Sequence, residues 1–371
     1  MNLLKMQIPT DVVIIRYSSC SSVGLATIGV CVFCAATSVA ALFVLSNLKR
    51  KNMPWLLLTL SCIVLWGFTD ILLKKSLDLS DPLSQFKTFI WIGLVMAVSG
   101  GIMAIYSDTL PDSIRIVADN LYLIPLCIFY VIALFFGILG TKHLEASVVS
   151  PLENIDGAIA AIVLYIFFLF TDRTNLTEKI GVVDIIGTVV IVVGVVLLGI
   201  QEQKLSKQET CLDESKKKHR IGALALIFPI VYNLVDAASM VAMGVTVSGE
   251  TEVSIPDIDF FFFECVGFAV GAIFVWLYLL IAKKYVYNPF KKTELSRCGA
   301  GVGDSLGTMA FTFAVGINPI LTAPVTSSYC LVTIILARIL LKERLTKRQY
   351  MSLAFLVVGI ALLGVSEIFN A

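Results

Sequence analysis

Charge is scarce in this sequence, and that scarcity excludes a soluble protein. Asp, Glu, Lys and Arg make up 15% of the 371 residues, whereas soluble domains carry about 25%. Mean hydropathy is +0.91. The charges are clustered and leave apolar runs of about 20 residues, the length with which a helix crosses the bilayer core. The sequence therefore predicts an all-α, multi-pass membrane protein with the lipid bilayer as its surroundings.

Other scarcities exclude particular kinds of chemistry. The net charge of +1 gives no basic surface for nucleic acid. The chain has two histidines, His143 and His219, and no His-Glu-x-x-His pattern, so we expect no zinc site and no cofactor. The nine cysteines are an odd number and lie mostly in apolar runs, where cysteine packs as a small apolar residue. Cys31-x-x-Cys34 has metal-binding spacing but lacks a second pair.

Eleven apolar runs follow one another along the chain. The first, at 21–46, is long and lacks a clear cleavage site, so we expect a retained leading transmembrane helix rather than a signal peptide. We number the other ten as spans 1 to 10. They cover 54–73, 88–107, 121–140, 146–170, 180–200, 221–244, 258–282, 298–316, 319–341 and 349–369.

Basic residues in the loops predict the orientation. The loops after spans 1, 3, 5, 7 and 9 hold 19 Lys and Arg, and the opposite set holds six. The first set is therefore predicted to be cytoplasmic. Eleven spans then place the N-terminus inside and the C-terminus outside, with Lys49-Arg50-Lys51 on the outer side against the rule. We expect the plasma membrane, which is the inner membrane in a bacterium.

An internal repeat divides the chain. Val192-Val-Gly-Val-Val-Leu-Leu-Gly-Ile-Gln-Glu202 and Val357-Val-Gly-Ile-Ala-Leu-Leu-Gly-Val-Ser-Glu367 are identical at seven of eleven positions. Each half holds five spans, and an odd number makes the second half enter the membrane from the opposite side. The predicted fold is thus a ten-helix core of two inverted five-helix repeats plus the leading helix. Its parts are 1–50 (tail and leading helix), 51–203 (first repeat), 204–220 (basic cytoplasmic linker) and 221–371 (second repeat).

Short motifs in several spans carry a family resemblance. Leu341-Lys-Glu-Arg-Leu-Thr-Lys-Arg-Gln349 is followed by Gly359 and Gly364, and span 1 contains Leu65-Trp66-Gly67. With these motifs the sequence resembles the EamA type of the drug/metabolite transporter superfamily over 54–369. The resemblance implies a ten-helix carrier of small metabolites. The leading helix and the outer C-terminus depart from the usual family pattern.

Two aspartates occupy equivalent positions in the repeats. Asp70 follows Trp66 by four residues, and Asp236 follows Tyr232 by four residues. Ionisable groups inside spans are costly and usually face a cavity or a partner. We therefore predict that these four residues and Asn233 bind substrate. The alternative for Asp70 is a helix-end ion pair with Lys74, four residues later.

A proline lies in each of spans 4 and 9 and is followed by polar residues. After Pro151 these are Glu153, Asn154 and Asp156, and after Pro324 they are Ser327, Ser328 and Tyr329. A proline loosens the helix and frees a carbonyl that a substrate or ion could use. All six residues are predicted to bind substrate. The alternative for Glu153 and Asp156 is a solvated position near the cytoplasmic surface.

Three carboxyl groups are candidates for proton coupling: Asp236, Glu264 and Asp304. Glu264 has no basic neighbour in the sequence, and the aromatic run Phe260–Phe263 before it is predicted to pack or to face lipid. Gly299, Gly303 and Gly307 recur every four residues in span 8, which predicts close helix packing.

The predicted function is secondary transport by alternating access, not catalysis. The substrate is a small molecule such as an amino acid, an amine or a drug-like compound, and a homodimer is compatible with this activity. One alternative is a non-transporting receptor or scaffold. Another is an intramembrane aspartyl protease, because Gly301-Val-Gly-Asp304 resembles a signature of that class, with Asp236 as the second aspartate.

Overall fold

The protein is built from α-helices. The computed structural model describes residues 55–144, 146–171, 181–212, 227–249, 253–289, 294–340, 350–352, 354–355 and 357–362, and no strand occurs in these ranges. Seven of the described helices are long and apolar enough to cross a membrane, which identifies an integral membrane protein, as composition predicted. The leading helix, the Cys31–Cys34 pair and the 341–349 motif lie outside the described residues.

Twelve helices have defined bounds within the described ranges. They are α1 Trp55–Ser76, α2 Ser84–Tyr106, α3 Leu110–Asp119, α4 Leu123–His143, α5 Ala146–Glu153, α6 Asp156–Phe170, α7 Val182–Leu212, α8 Ile227–Val247, α9 Asp257–Ile281, α10 Leu295–Ile317, α11 Pro319–Thr326 and α12 Tyr329–Leu340. The seven candidate spans are α1, α2, α4, α8, α9, α10 and the α11–α12 unit. Shorter apolar helices occupy the other three predicted spans, at α6, at the start of α7 and at Tyr350–Leu362.

Spans 4 and 9 are not the continuous helices that hydropathy predicted. Span 4 is interrupted at residues 154–155, between α5 and α6, and span 9 at residues 327–328, between α11 and α12. Each interruption begins three residues after a proline, Pro151 or Pro324. Proline has no backbone N–H and cannot complete the helical hydrogen-bond ladder. The two interruptions leave backbone and polar side chains in the interior of the helix bundle.

Three helix pairs form the centre of the bundle: α1 packs on α10, α4 on α8, and α2 on α9. Gly299, Gly303 and Gly307 face α1, the last two beside Thr69 and Trp66. This confirms the packing role predicted for these glycines, since only small residues let two membrane helices approach so closely.

An apolar outer surface surrounds this centre. On α9, for example, Phe274 is 69% exposed and Ile281 is 72% exposed, whereas Phe260 and Phe261 are fully buried. Exposed aliphatic and aromatic side chains are stable in hydrocarbon but not in water. The outer face of α9 is therefore a lipid-facing surface, and the buried phenylalanines confirm the predicted packing role.

A buried ion pair joins three helices near the predicted cytoplasmic end. Arg297 binds Glu294 at 2.5 Å and also donates to the Ser76 carbonyl at 3.0 Å and to Thr88 Oγ1 at 3.2 Å. The Tyr287 hydroxyl donates to Glu294 at 2.6 Å. Burial, and then the hydrogen bond to Glu294, raises the pKa of Tyr287. This cluster fixes the start of α10 against the end of α1 and the start of α2.

A second polar cluster lies at the opposite end. The Asp259 carboxylate is fully buried and accepts hydrogen bonds from the hydroxyls of Ser107, Thr109 and Ser113. The first two residues belong to the loop after α2, and Ser113 belongs to α3. Asp259 therefore fixes the start of α9 to the α2–α3 connection.

Candidate functional site

A polar cavity lies between α1, α4, α8 and α10. It has an empty volume of about 440 Å³. Among the described residues, its walls contain three carboxyl groups, four aromatic side chains and no lysine or arginine. The lining residues are Trp66, Thr69, Asp70, Leu73, Tyr130, Leu134, Gly137, Thr141, Glu153, Tyr232, Asp304 and Tyr329. We call it the aromatic–acidic cavity.

A smaller cavity follows it toward the predicted outer side. It has an empty volume of about 230 Å³ and shares two walls, Trp66 and Tyr130, with the aromatic–acidic cavity. Its other lining residues are Asp236, Ser239, Met240, Met243, Glu264, Thr308 and Phe311. Trp66 packs against Phe311 at 5.3 Å and against Tyr329 at 5.8 Å between ring centroids. The Trp66–Tyr130 layer thus separates two polar cavities in series.

Asp70 connects α1 to both interrupted helix units. Its Oδ2 atom accepts hydrogen bonds from Ser150 on α5 at 2.9 Å and from Thr333 on α12 at 2.8 Å. Lys74, one turn later on α1, donates to the carbonyls of Thr141 and Leu144 at 2.8 and 2.5 Å. Asp70 therefore borders the cavity and accepts hydrogen bonds from two other helices.

Glu153 is the last residue of α5 and is only 6% exposed. Glu153 is therefore more deeply buried than it would be in the alternative, a solvated position near the cytoplasmic surface. Its Oε1 atom has no hydrogen-bond partner within the described residues. A Cβ atom at Gly140 would lie 2.9 Å from Oε1, and one at Gly137 would lie 3.7 Å from it. The two glycines of α4 thus make room for a buried carboxyl group.

Asp304 occupies the middle of α10 and is 2% exposed. Its Oδ1 atom accepts a hydrogen bond from the Tyr130 hydroxyl at 2.8 Å, while Oδ2 has no partner among the described residues. Tyr130 was not predicted as a site residue. A single tyrosine in an apolar run does not indicate a site residue in the sequence, because its role depends on a hydrogen-bond partner 174 positions away.

Asp156 and Asp236 form a carboxyl pair between α6 and α8. Both side chains are buried, and their carboxyl groups are close enough to interact. Asp236 also accepts a hydrogen bond from the Tyr232 hydroxyl at 3.2 Å, and Asp156 accepts one from the Gly157 N–H at 2.6 Å. Two carboxyl groups this close repel each other when both are ionised, and one proton shared between them removes that repulsion.

Glu264 also borders the smaller cavity. It is fully buried, and both carboxyl oxygens lack partners among the described residues. The sequence identified Glu264 as a candidate for proton coupling, but Met240, Met243 and Thr308, which share its cavity, were not predicted.

The remaining predicted residues lie at the helix interruptions or beside them. Asn154 and Ser327 border a small third pocket between the two interrupted units. Asn233 donates to the carbonyls of Leu152 and Pro229 at 2.6 and 2.9 Å. Ser328 is buried, and its hydroxyl lacks a partner in the described part of the chain. These four residues do not line either of the two cavities in series.

The geometry does not favour metal binding or proteolysis. Among the described residues, no group of three or more His, Cys, Asp or Glu side chains is arranged to hold a metal ion. Asp236 and Asp304 border different cavities, and each accepts a hydrogen bond from a different tyrosine, Tyr232 in one case and Tyr130 in the other. An aspartyl protease instead needs its two aspartates to share one proton.

Comparisons with known proteins find a similar fold but no matching family. No family model and no curated protein matches the chain. Among solved structures, 21 chains are similar. One of them, described only as "Crystal structure of protein", has a TM-score of 0.53 with 14% sequence identity, and the match covers 83% of this chain and 96% of that chain. At this identity the likeness concerns the fold alone.

Proposed function

We propose that this protein is a secondary transporter that moves a small metabolite by alternating access, as a member of the drug/metabolite transporter superfamily. The observation that carries the proposal is the pair of polar cavities in series on either side of the Trp66–Tyr130 layer. Both lie inside a bundle whose outer face is apolar, and both contain carboxyl oxygens that have no partner in the described part of the chain. Buried ionisable groups inside a membrane protein usually belong to a substrate or ion pathway.

The helix interruptions support the same proposal. Transporters commonly bind substrate where membrane helices are discontinuous, near the midplane and between repeated halves. Glu153 is the last residue before one interruption, and Tyr329 is the first residue after the other; both line the aromatic–acidic cavity. The two interrupted units also touch, because a Cβ atom at Gly157 would collide with Ser327 Oγ.

We further propose that the fold is a ten-helix core of two inverted five-helix repeats. Helix packing supports this arrangement. When each helix is replaced by its equivalent in the other half, every one of the three central helix pairs becomes one of the same three pairs. α1 on α10 corresponds to α8 on α4, and α2 on α9 corresponds to itself. Two inverted halves can exchange conformations, and this exchange is the structural basis of inward-open and outward-open states.

The coupling ion that fits this site is the proton. Asp156 on α6 of the first half and Asp236 on α8 of the second are buried close together, an arrangement in which two carboxyl groups can share one proton. Glu264 lies in the same cavity as Asp236 and has no partner of its own among the described residues. Release of the proton would leave adjacent negative charges, and a change in helix contacts would relieve the repulsion.

The test begins with a thermal-shift screen of the purified chain against amino acids, amines, nucleosides and sugars, because a ligand of the folded state raises apparent stability. Each ligand found is then assayed in proteoliposomes for counterflow and for accumulation driven by a pH gradient. We expect counterflow in the parent protein, and we expect Asp236→Asn to lose gradient-driven accumulation while counterflow persists. Asp108→Asn, an exposed aspartate outside the site, is the matched control.

The other outcomes distinguish the alternatives. Loss of both activities in Asp236→Asn would assign this carboxyl to substrate binding instead of proton coupling. Ligand binding without counterflow in the parent protein would reject transport and favour a receptor. Accumulation that does not depend on the pH gradient would reject the proton as the coupling ion but would leave the transporter proposal intact.

A further inference from the structure

We infer that the aromatic–acidic cavity binds an organic cation, with a protonated amine or a quaternary ammonium group held between Glu153, Asp304 and the ring of Trp66. This inference rests on the proposed transport function and names the chemical class of its substrate. It does not depend on the coupling ion.

The charge of the cavity is the first support. Asp70, Glu153 and Asp304 line it, and none of the described residues in its walls is a lysine or arginine. Asp70 is satisfied by two hydroxyl groups, but Glu153 Oε1 and Asp304 Oδ2 are buried acceptors without a partner among the described residues. A buried acceptor without a donor is costly. A ligand that donates hydrogen bonds or carries positive charge removes that cost, whereas an anionic ligand increases it.

The aromatic wall is the second support. Trp66, Tyr130, Tyr232 and Tyr329 all border the cavity. The face of an aromatic ring attracts a cation, tryptophan most strongly, and this attraction is the usual way in which proteins recognise quaternary ammonium groups. Neutral or anionic solutes gain no such attraction from the same rings.

The helix ends are the third support. α5 ends at Glu153, on the cavity wall. The carboxyl end of a helix carries partial negative charge from its unpaired carbonyl groups. The helix end and the Glu153 carboxylate therefore act with the same sign at the same place, and both favour a cation.

The experiment compares three ligands that share a phenyl ring but differ in charge: phenethylamine, phenylalanine and 3-phenylpropionate. Binding to the purified full chain in lipid nanodiscs is measured by calorimetry, with tetraethylammonium as a cation of different shape. We expect both cations to bind, phenethylamine at least about tenfold more tightly than phenylalanine, and 3-phenylpropionate not to bind; tenfold corresponds to about 1.4 kcal/mol.

Variants assign the binding to the cavity. Glu153→Gln removes one negative charge and is expected to weaken phenethylamine binding about tenfold or more, as is Trp66→Leu, whereas Trp66→Phe keeps part of the affinity. Asp108→Asn and Phe274→Leu are the matched controls, because both residues are exposed and far from the cavity walls. Equal melting temperatures among the variants would exclude misfolding as the cause.

Three results would overturn the inference. If phenylalanine or 3-phenylpropionate binds as tightly as phenethylamine, the inference that the substrate is an organic cation is wrong, although the transporter proposal stands. If proteoliposomes show counterflow of an anionic or neutral solute that neither cation inhibits, the inference also fails while transport survives. If no compound in any panel binds or moves, both proposals fail.

Discussion

The buried carboxyl groups of this protein fall into two kinds at the scale of single residues. Asp259 is fully buried and accepts hydrogen bonds from three hydroxyl groups, so its acceptors are satisfied by the protein. Glu153 and Glu264 are as deeply placed but keep oxygens without partners among the described residues. A satisfied carboxylate contributes to stability, whereas an unsatisfied one is available to a ligand or proton.

This distinction gives a prediction about Asp259→Asn. An amide has one acceptor oxygen where the carboxylate has two, so the three hydroxyl groups are no longer all satisfied. We expect a loss of about 1–3 kcal/mol in stability, measured as a lower melting temperature. Phenethylamine affinity should remain within about twofold, since the site lies elsewhere. Loss of binding without loss of stability would contradict the structural role.

At the scale of helices, glycine determines how closely α1 and α10 approach. A Cβ atom at Gly307 would collide with the ring of Trp66, whereas a Cβ atom at Gly101 on α2 would have no neighbour within 4 Å. The same substitution should therefore have opposite effects at the two sites.

Gly307→Ala is expected to destabilise the protein by about 1–3 kcal/mol through overpacking and to displace the ring that separates the two cavities. Gly101→Ala should be neutral or stabilise by up to about 1 kcal/mol, since alanine favours helix. Thermal unfolding of the two variants tests this, and equal melting temperatures would show that the α1–α10 contact is not tightly packed.

At the scale of the whole molecule, the proposed inversion places equivalent loops on opposite sides of the membrane. Asp108, after α2, and Lys283, after α9, are exposed and lie in equivalent loops of the two proposed halves. The distribution of positive charge predicts that Lys283 lies on the cytoplasmic side, and the proposed inversion then puts Asp108 on the outer side.

Asp108→Cys and Lys283→Cys are expected to react with a membrane-impermeant maleimide from opposite sides of sealed cells or vesicles. The parent protein controls for labelling of native cysteines; the described ones at positions 62, 127, 265, 298 and 330 are buried. Labelling of both variants from the same side would reject the inverted repeat and leave the cavities without a symmetry-based exchange of states.

Much of this architecture was predictable because it depends on local sequence. Apolar length alone predicts membrane helices, and hydropathy located a helix in every one of the ten spans. Pro151 and Pro324 indicated where two helices loosen, although the interruption begins three residues later and was not predicted as a complete break. The short helix α3 was missed, because its mixed polar sequence resembles a loop.

The sequence by itself determined the class of protein, the positions of its helices and the acids that cannot face lipid, since each depends on the cost of placing polar groups in hydrocarbon. Only the tertiary structure decided which acids are satisfied. Tyr130 reaches Asp304 across 174 residues, Thr333 reaches Asp70 across 263, and two glycines of α4 make space for Glu153. These contacts join residues that are distant in the chain, and no local pattern encodes a partner that another helix supplies.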